Sequence, residues 1–392
     1  MTPWLRIVGI GEDGVDGLSV RARRAIGGAA LVVGGARHLA LADPLIAGER
    51  LAWPSPIEAA FPAIIARHGE PVVVLASGDP SFYGIATTLA AVVPAAETEI
   101  VPAPSSVSLA CARLGWAVQD VAVVSSCGRP LAAIRPHLHD GARLIVLSAD
   151  ATTPAVLAVM LEMLGFGASR LRVMERLGGP HERVTDSVPS DVAALNLVAV
   201  EVQGSKPVSL AAGRPDELFE HDGQITKSEI RAMTLAALAP SPGALLWDVG
   251  CGSGAVGIEW SLAHPACRAI GIEADATRAD RAARNAVALG VPSLRVVRGA
   301  APDALAGLPT PDAVFVGGGA EDGVLDVAWA ALRPGGKFVA NAVLAETEVR
   351  LFEAFTRHGG SLTRLSVERL GVLGGGHGFL PARPITQWAA TK

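Results

Sequence analysis

The sequence predicts two α/β domains in tandem, and three observations support this fold class. The chain has 392 residues, enough for two domains that each bury a core. Short β-branched and apolar runs alternate with Ala-rich stretches of helical length in both halves. Gly and Pro interrupt this alternation at 203–207 and again at 213–216. We therefore expect one domain at residues 1–204 and a second at 205–392.

The predicted strands are short apolar runs followed by turns. In the first half they are expected at 5–10, 72–76, 121–125, 143–147 and 197–202. In the second half they are expected at 244–249, 268–272, 294–297, 313–316 and 337–340. Stretches of helical length separate them, which is typical of α/β layers with buried strands and, in the second half, of one doubly wound sheet.

Composition excludes several classes of protein. The net charge of −5 argues against a nucleic-acid scaffold, which must neutralise many phosphates. The longest uncharged run, 80–96, contains two prolines and predicts no membrane span. The start of the chain lacks a signal-peptide pattern, and the four cysteines show neither C-x-x-C pairs nor zinc spacing. We expect a cytoplasmic protein that binds no nucleic acid, membrane or metal.

A glycine-rich turn in the second half predicts a nucleoside site. The strand through Asp248 runs into Gly250, Cys251, Gly252, Ser253 and Gly254, and a helix follows. Such turns let a ligand approach the backbone at a helix N-terminus. Glu273 ends the next strand, 23 residues after Gly250, where its carboxylate suits the hydroxyls of a ribose.

The identity of that nucleoside has two interpretations. Gly252, Gly254 and Gly257 also fit the dinucleotide fingerprint, so a nicotinamide-dependent reductase is one alternative. Asp248 would repel a pyrophosphate and suits a cationic amino-acid ligand better. This carboxylate favours a methyl donor.

Taken together, the motifs at 248–254, 271–275, 311–316 and 332–336 resemble a Rossmann-like class I S-adenosylmethionine (SAM) methyltransferase. The segments 225–231, 299–302 and 315–319, the last ending at Gly319, resemble the branch that acts on precorrin-6 in the cobalt-corrin pathway. The resemblance implies that the cofactor contacts Thr226, Gly250 to Gly254, Glu273 and Ala301, beside Asp248.

The first half carries other turns. Its first strand ends in a turn with Gly9 and Gly11, a second turn reads Gly78-Asp79-Pro80-Ser81-Phe82-Tyr83-Gly84, and a third contains Ser105 and Ser106. Over residues 1–204 these motifs resemble the tetrapyrrole (corrin/porphyrin) methylases, class III methyltransferases with two lobes and SAM between them. The resemblance implies cofactor contacts at Gly9, Gly11, Gly78, Asp79, Tyr83, Ser105 and Ser106. The alternative is an Asx turn for Asp79 and helix capping for the serines.

The two resemblances in one chain imply a bifunctional enzyme of cobalamin biosynthesis with one SAM per domain. The N-terminal domain would methylate a reduced tetrapyrrole, a precorrin, at C5. The C-terminal domain would methylate C15 and decarboxylate the C12 acetate on ring C, giving precorrin-8. A non-catalytic tetrapyrrole carrier is the other alternative. We also expect a homo-oligomer.

A substrate with many carboxylates needs local cations, and Arg129, Lys227 and Arg231 adjoin the motifs. The alternative for each is a solvated surface charge. Lys227 and His377 are also candidate catalytic residues. His377 lies in a glycine-rich segment, 371–379, that is either a lid over the C-terminal pocket or a solvated hairpin loop.

Overall fold

The computed structural model describes residues 3–204, 207–318 and 323–392. Contacts divide the chain into an N-terminal unit, Met1–Leu131 with His137–Lys206, and a C-terminal unit, Ala132–Pro136 with Pro207–Lys392. The boundary predicted near residue 205 and the motif residue Gly319 lie outside the described residues.

The first sheet of the N-terminal unit is parallel, with strand order β3-β2-β4-β1-β5. Its strands are β1 (Leu5–Ile10), β2 (Leu31–Gly34), β3 (Glu49–Ala52), β4 (Val72–Ser77) and β5 (Thr98–Val101). Its helices are α1 (Val20–Gly27), α2 (Ala36–Ala42), α3 (Phe61–Ile65) and α4 (Ala86–Leu89). Val72 and Val74 pack into one core and Val73 and Leu75 into another, so both faces of the sheet are covered and β4 is a continuous apolar run.

The second sheet of this unit has the order β6-β7-β10-β8-β9 and is mixed. It consists of β6 (Ala122–Ser125), β7 (Arg143–Leu147), β8 (Arg170–Glu175), β9 (Arg183–Thr185) and β10 (Asn196–Glu201), with α5 (Ser106–Leu114) and α6 (Thr153–Met163). Strands β7, β10, β8 and β9 pair antiparallel. The link from β8 to β9 is too short for a crossover helix, so these two strands can pair only as a hairpin.

The C-terminal unit contains one large sheet with the order β13-β12-β11-β14-β15-β19-β16. The strands of the whole unit are β11 (Leu245–Val249), β12 (Arg268–Glu273), β13 (Arg295–Arg298), β14 (Ala313–Val316), β15 (Lys337–Ala342), β16 (Ser361–Leu365), β17 (Glu368–Leu373), β18 (Gly376–Pro381) and β19 (Ile385–Thr391). The five strands β11 to β15 run parallel to one another, and β19 pairs antiparallel with β15 and β16. Strands β17 and β18 form a separate hairpin.

The helices of this unit are α7 (Ser228–Leu238), α8 (Ala255–Ala263), α9 (Ala276–Ala288), α10 (Val324–Ala331) and α11 (Ala345–His358). Trp247 and Leu246 are neighbours on β11 and enter separate cores on opposite faces of the sheet. Because strands β11 to β15 are parallel, they all end at the same carboxyl edge of the sheet. Ligands bind at this edge in doubly wound folds. None of the helices in the described ranges is long and apolar enough to cross a membrane.

Candidate active site

A cavity of about 770 Å³ lies at the carboxyl edge of the C-terminal sheet. Its walls come from the turns after β11, β12 and β14, the end of β15, the segment before α7, and the base of the β17–β18 hairpin. The predicted residues among its lining are Thr226, Lys227, Asp248, Gly250, Cys251, Gly252, Ser253, Glu273 and Ala301. This volume suits a small ligand or cofactor.

The glycine turn after β11 depends on backbone conformations that favour glycine. Gly250 and Gly252 have φ values of +69° and +56°. A Cβ at Gly250 would lie 2.5 Å from the carbonyl oxygen of Gly318 in the turn after β14. Gly254 caps α8, and a Cβ there would lie 3.1 Å from the Cβ of Ala282, so this residue serves helix packing and does not line the cavity. Burial raises the pKa of the Cys251 thiol well above its usual range, which makes it a poor nucleophile.

Glu273 is held by the backbone beside this turn. Its Oε2 accepts a hydrogen bond from Gly252 N at 2.8 Å and its Oε1 accepts one from Asp275 N at 3.0 Å. Each oxygen keeps a further lone pair. The carboxylate is therefore fixed in the cavity wall with capacity to accept two hydroxyl groups of a ligand.

Asp248 is 1% exposed and has one oxygen without a partner. Its Oδ2 accepts a hydrogen bond from Gly257 N at 2.9 Å, while Oδ1 has no partner among the described residues. Burial raises the pKa of Asp248 to about 7, the Gly257 hydrogen bond opposes this shift, and the charge of Glu273 adds to it. A buried carboxylate of this kind is stabilised by a cation.

Lys227 precedes α7 and lines the cavity, with its Nζ 3.4 Å from Oδ2 of Asp216. Its side chain is 43% exposed, so the ammonium remains accessible to a ligand.

The expectation that Arg231 binds substrate is wrong. The side chain is fully buried, and its Nε donates to Oε1 of Glu259 at 2.7 Å. Its remaining N–H groups donate to Asp216 and to the carbonyl oxygens of Thr226 and Arg214. Position 231 faces the core side of α7, where each of the three guanidinium nitrogens has an acceptor. Arg231 is a structural cation.

His377 does not line the cavity. It lies exposed on β18, paired with Val372 of β17, so the segment predicted as a lid or a solvated hairpin loop is an exposed β-hairpin. The base of this hairpin contributes other cavity residues, namely Val367, Arg369, Ala382 and Arg383.

Sequence reasoning missed several polar side chains in the cavity, namely Gln224, Glu229, Arg278, Asn341, Thr347, Arg369 and Arg383. Arg369 pairs with Glu229, Arg383 has no partner among the described residues, and Asn341 is held by two buried side chains. Arg369 and Arg383 lie outside the glycine motifs, and only the fold brings them to the cavity. Asn341 could have been predicted as a site residue, since it is a polar residue at the carboxyl end of a predicted strand.

In the N-terminal unit, glycines let three predicted turns pack together. A Cβ at Gly9 would lie 1.8 Å from the carbonyl oxygen of Gly78, and one at Gly78 would lie 2.9 Å from that of Pro104. A Cβ at Gly11 would lie 2.6 Å from Oδ1 of Asp13. The turns after β1, β4 and β5 therefore meet at one edge of the parallel sheet.

The alternative local roles are present at two positions of these turns. Oδ1 of Asp79 accepts a hydrogen bond from Ser81 N at 2.8 Å, which forms an Asx turn. Oγ of Ser105 accepts one from Ser108 N at 3.1 Å and caps α5, while Ser106 begins that helix and is exposed. These contacts account for Asp79 and Ser105 without a ligand and leave Oδ2 of Asp79 available.

Tyr83 connects the turn after β4 with the second sheet. Its φ of +52° is a strained conformation for a bulky residue. Its hydroxyl donates to the carbonyl oxygen of Val123 at 3.3 Å, and the guanidinium of Arg129 lies 4.9 Å from the centre of its ring. The structure thus brings together two predicted site residues, and the ring stays 45% exposed.

A polar cluster beside these turns was not predicted. Arg37 pairs with Glu12 and donates to Oγ of Ser77 at 2.7 Å, and His38 lies 2.8 Å from the same hydroxyl. Burial, with a smaller effect of Arg37, lowers the pKa of His38 to about 4, so the ring is neutral at pH 7. These residues follow the ends of β1, β2 and β4.

Comparison with protein families gives two matches. Residues 5–193 match the tetrapyrrole (corrin/porphyrin) methylases, and residues 217–392 match a precorrin methyltransferase domain. The first match covers most of the N-terminal unit and the second contains most of the cavity lining.

Relatives match over the full chain. The precorrin-6Y C(5,15)-methyltransferase (decarboxylating) of a Sinorhizobium species is 54% identical, over 100% of this chain and 97% of its own. That of Mycobacterium tuberculosis (strain CDC 1551 / Oshkosh) is 43% identical, over 98% and 99%. The crystal structure of the C-terminal domain of precorrin-6Y C5,15-methyltransferase from Rhodobacter capsulatus is 48% identical, over 47% of this chain and 100% of that chain, with a TM-score of 0.45. The chain belongs to the family of precorrin-6Y C(5,15)-methyltransferases (decarboxylating).

Proposed function

We propose that each half of the chain binds one SAM and that together they convert a precorrin to precorrin-8. The C-terminal half, residues 205–392, methylates C15 and removes the carboxylate of the C12 acetate. The N-terminal half, residues 1–204, methylates C5. Membership in a methyltransferase family sets aside the nicotinamide-dependent reductase and the non-catalytic carrier.

The observation that carries the proposal is the pairing of Glu273 and Asp248 in one cavity. Glu273 offers acceptors for ribose hydroxyls beside the glycine turn, and Oδ1 of Asp248 is a buried carboxylate oxygen without a partner among the described residues. A SAM molecule carries both a ribose and cationic groups, so the residues present fit it. Because Gly250 and Gly252 have no side chains, the backbone of the turn can contact SAM directly.

When bound, SAM supplies a methyl group already activated by a sulfonium. The meso carbons of a reduced tetrapyrrole are enamine-like nucleophiles, so the transfer needs little acid–base catalysis. The main task of the protein is to align the two reactants, which can contribute on the order of 7–11 kcal/mol. The absence of a catalytic triad from the predicted motifs is consistent with this chemistry.

Cations in the lining of the C-terminal cavity supply the charge that the carboxylates of the substrate need, and Arg278 among them is paired with Asp222. Lys227 and Arg369 are paired with Asp216 and Glu229 at its wall, and Arg383 has no partner among the described residues. Arg383 is therefore the strongest candidate for a carboxylate contact, because its guanidinium gains a partner without losing one.

In the N-terminal half, the exposed ring of Tyr83 beside Arg129 offers a flat surface next to a positive charge. A tetrapyrrole presents a flat conjugated ring with carboxylates at its rim. We assign Arg129 to substrate, and the turns with Gly9, Gly11, Gly78, Asp79, Ser105 and Ser106 to the cofactor.

We also propose that the chain forms a homo-oligomer. The β17–β18 hairpin exposes Leu370, Val372 and Phe379, by 64%, 74% and 68%. Apolar groups clustered in this way favour association. Light scattering of the purified full chain tests this, and a mass equal to one chain at micromolar concentration contradicts it.

The proposal is tested with full-length protein, SAM and the reduced precorrin, with the product analysed by mass spectrometry. Wild type should add two methyl groups and lose one CO₂. Gly252→Val should abolish loss of CO₂, because the side chain blocks the C-terminal turn, whereas Gly78→Val should leave it in place. Titration with S-adenosylhomocysteine should give two sites in wild type and one in each variant. Loss of CO₂ that survives Gly252→Val contradicts the assignment.

A further inference from the structure

Three polar side chains from three elements converge behind one wall of the C-terminal cavity. Nδ2 of Asn341 donates to Oγ1 of Thr234 at 3.0 Å, and Oδ1 of Asn341 accepts from Nε2 of Gln387 at 2.9 Å. Nε2 of Gln387 also donates to Oγ1 of Thr234 at 3.1 Å. Thr234 and Gln387 are 0% and 5% exposed, and Asn341 alone of the three lines the cavity.

This network fixes the direction of the Asn341 amide. Gln387 holds its oxygen and Thr234 holds one of its two N–H groups, which leaves the second N–H without a partner among the described residues. Buried polar groups are costly unless satisfied, and a network of this kind makes one orientation rigid. Two buried side chains therefore serve to aim a single neutral donor.

The place of Asn341 in the sheet puts it at the end of the cavity away from Glu273. Three inter-strand steps, β12 to β11 to β14 to β15, separate the two residues, roughly 14 Å at the usual strand spacing. Ala342, Val343 and Leu344 follow Asn341 and contribute apolar surface to this end of the wall.

We propose that Asn341 holds the substrate carboxylate that is lost as CO₂, an inference that rests on the proposed function of the C-terminal half. Arg383, Arg369 and Lys227 would stabilise a carboxylate as an anion, which opposes loss of CO₂. A neutral N–H in apolar surroundings orients the carboxylate but stabilises its negative charge less than a cation does. Less of this charge stabilisation is therefore lost when the carboxylate becomes CO₂ in the transition state.

The reaction balances without another reagent. The bond between the methylene carbon and the carboxylate carbon breaks, and its electron pair passes into the protonated, conjugated macrocycle. The carboxylate leaves as CO₂, and the methylene carbon takes up one proton to become a methyl group. Asn341 acts as a binding group in this step and transfers no proton.

The test uses full-length protein, SAM and precorrin, and measures CO₂ released per methyl group added at C15. Asn341→Ala should lower this ratio about tenfold or more, because an interaction made for one step is lost. Its affinity for S-adenosylhomocysteine should stay within about twofold of wild type. A product methylated at C15 that retains the acetate should accumulate. Gln119→Ala, an exposed amide in the N-terminal unit, is the control.

The buried partners give a second test that does not depend on Asn341 itself. Thr234→Val removes the hydroxyl that holds the amide and should lower the same ratio, whereas Thr234→Ser keeps the hydroxyl and should restore it. An unchanged ratio in Asn341→Ala, or an equal fall of methylation and CO₂ release, overturns the proposal. A wild type that binds S-adenosylhomocysteine but neither methylates nor decarboxylates contradicts the proposed function instead.

Discussion

Replacement of Asp248 by Asn should make the ligand-free protein more stable at pH 8 and less stable relative to wild type as the pH falls. Burial raises the pKa of Asp248 to about 7, against about 3.9 for an unperturbed aspartate. Because the folded-state pKa is raised, the stabilising contribution of Asp248 is complete below about pH 4 and is lost as the pH rises through 7.

The magnitude follows from the size of this shift. About three pKa units correspond to about 4 kcal/mol of unfolding free energy between pH 4 and pH 8. The asparagine keeps an oxygen for Gly257 N but places an unpaired NH₂ where Oδ1 now lies, at a cost of about 1–3 kcal/mol. The variant should therefore gain about 1–3 kcal/mol at pH 8 and be less stable than wild type near pH 4.

The same carboxylate should make SAM binding depend on pH. A cation beside Oδ1 favours the ionised form, so binding at the C-terminal site should release a proton below pH 7 and tighten as the pH rises from 6 to 8. Asp248→Asn should weaken SAM binding at this site about 10- to 100-fold and reduce the sites seen by titration calorimetry from two to one.

Thermal denaturation from pH 4 to pH 8 and calorimetry in two buffers of different ionisation enthalpy measure these effects. Asp303→Asn, an exposed aspartate of the same unit, is the control and should change neither stability nor binding. The reasoning is refuted if the stability difference between Asp248→Asn and wild type is the same at pH 4 and pH 8, with SAM affinity unaffected.

Three further predictions address the other polar residues of the C-terminal unit. Glu273→Gln should weaken S-adenosylhomocysteine binding at this site by about 10- to 100-fold, since acceptors for the ribose are lost; an unchanged calorimetric affinity contradicts this role. Arg231→Met should lower the free energy of unfolding by about 3–5 kcal/mol, because Glu259 is left buried without its main partner, and a denaturant midpoint equal to that of wild type is the opposing result. Lys227→Ala should weaken precorrin binding more than cofactor binding, as measured by fluorescence or absorbance titration; equal precorrin affinities in variant and wild type argue against a substrate contact.

Much of the parallel framework could be predicted because its strands are buried on both faces. Runs such as Leu5–Ile10 and Leu245–Val249 are mostly apolar segments of strand length, each with a single charged residue, and the observed strands lie at these positions. Strands β3 and β5 were missed because they are partly exposed and contain charged residues, and β2 because its apolar run is only three residues long. For 371–379 a solvated hairpin loop was one of two interpretations, but the strands β17 and β18 were not predicted because their residues are exposed and rich in glycine.

The glycine turn and Glu273 could be located from sequence because both follow directly from strand ends. Arg383 and Asn341 could not be assigned to the same cavity, because β19 returns antiparallel beside β15 and only this pairing brings the end of the chain to the site. Local spacing contains no information about such long-range pairing. Arg231 shows the opposite error, since proximity to a motif suggested a ligand contact for a side chain that the helix turns into the core.

Some buried polar groups of the C-terminal unit have no partner among the described residues, among them Nε of Arg214 and Nε1 of Trp260 away from the cavity and Oδ1 of Asp248 at its wall. Glu259 accepts hydrogen bonds from Gly213 N, Arg214 N and Arg231, and this closed network stabilises the segment before α7 without need of a ligand. Asp248 and Asn341 each keep one polar position without a partner in the part of the chain that the structure describes, and both line the cavity. Selection for stability alone would remove such positions, because each costs free energy in the folded state. Their presence in the lining of one cavity, where a ligand can reach both, is the physical reason to place the chemistry there.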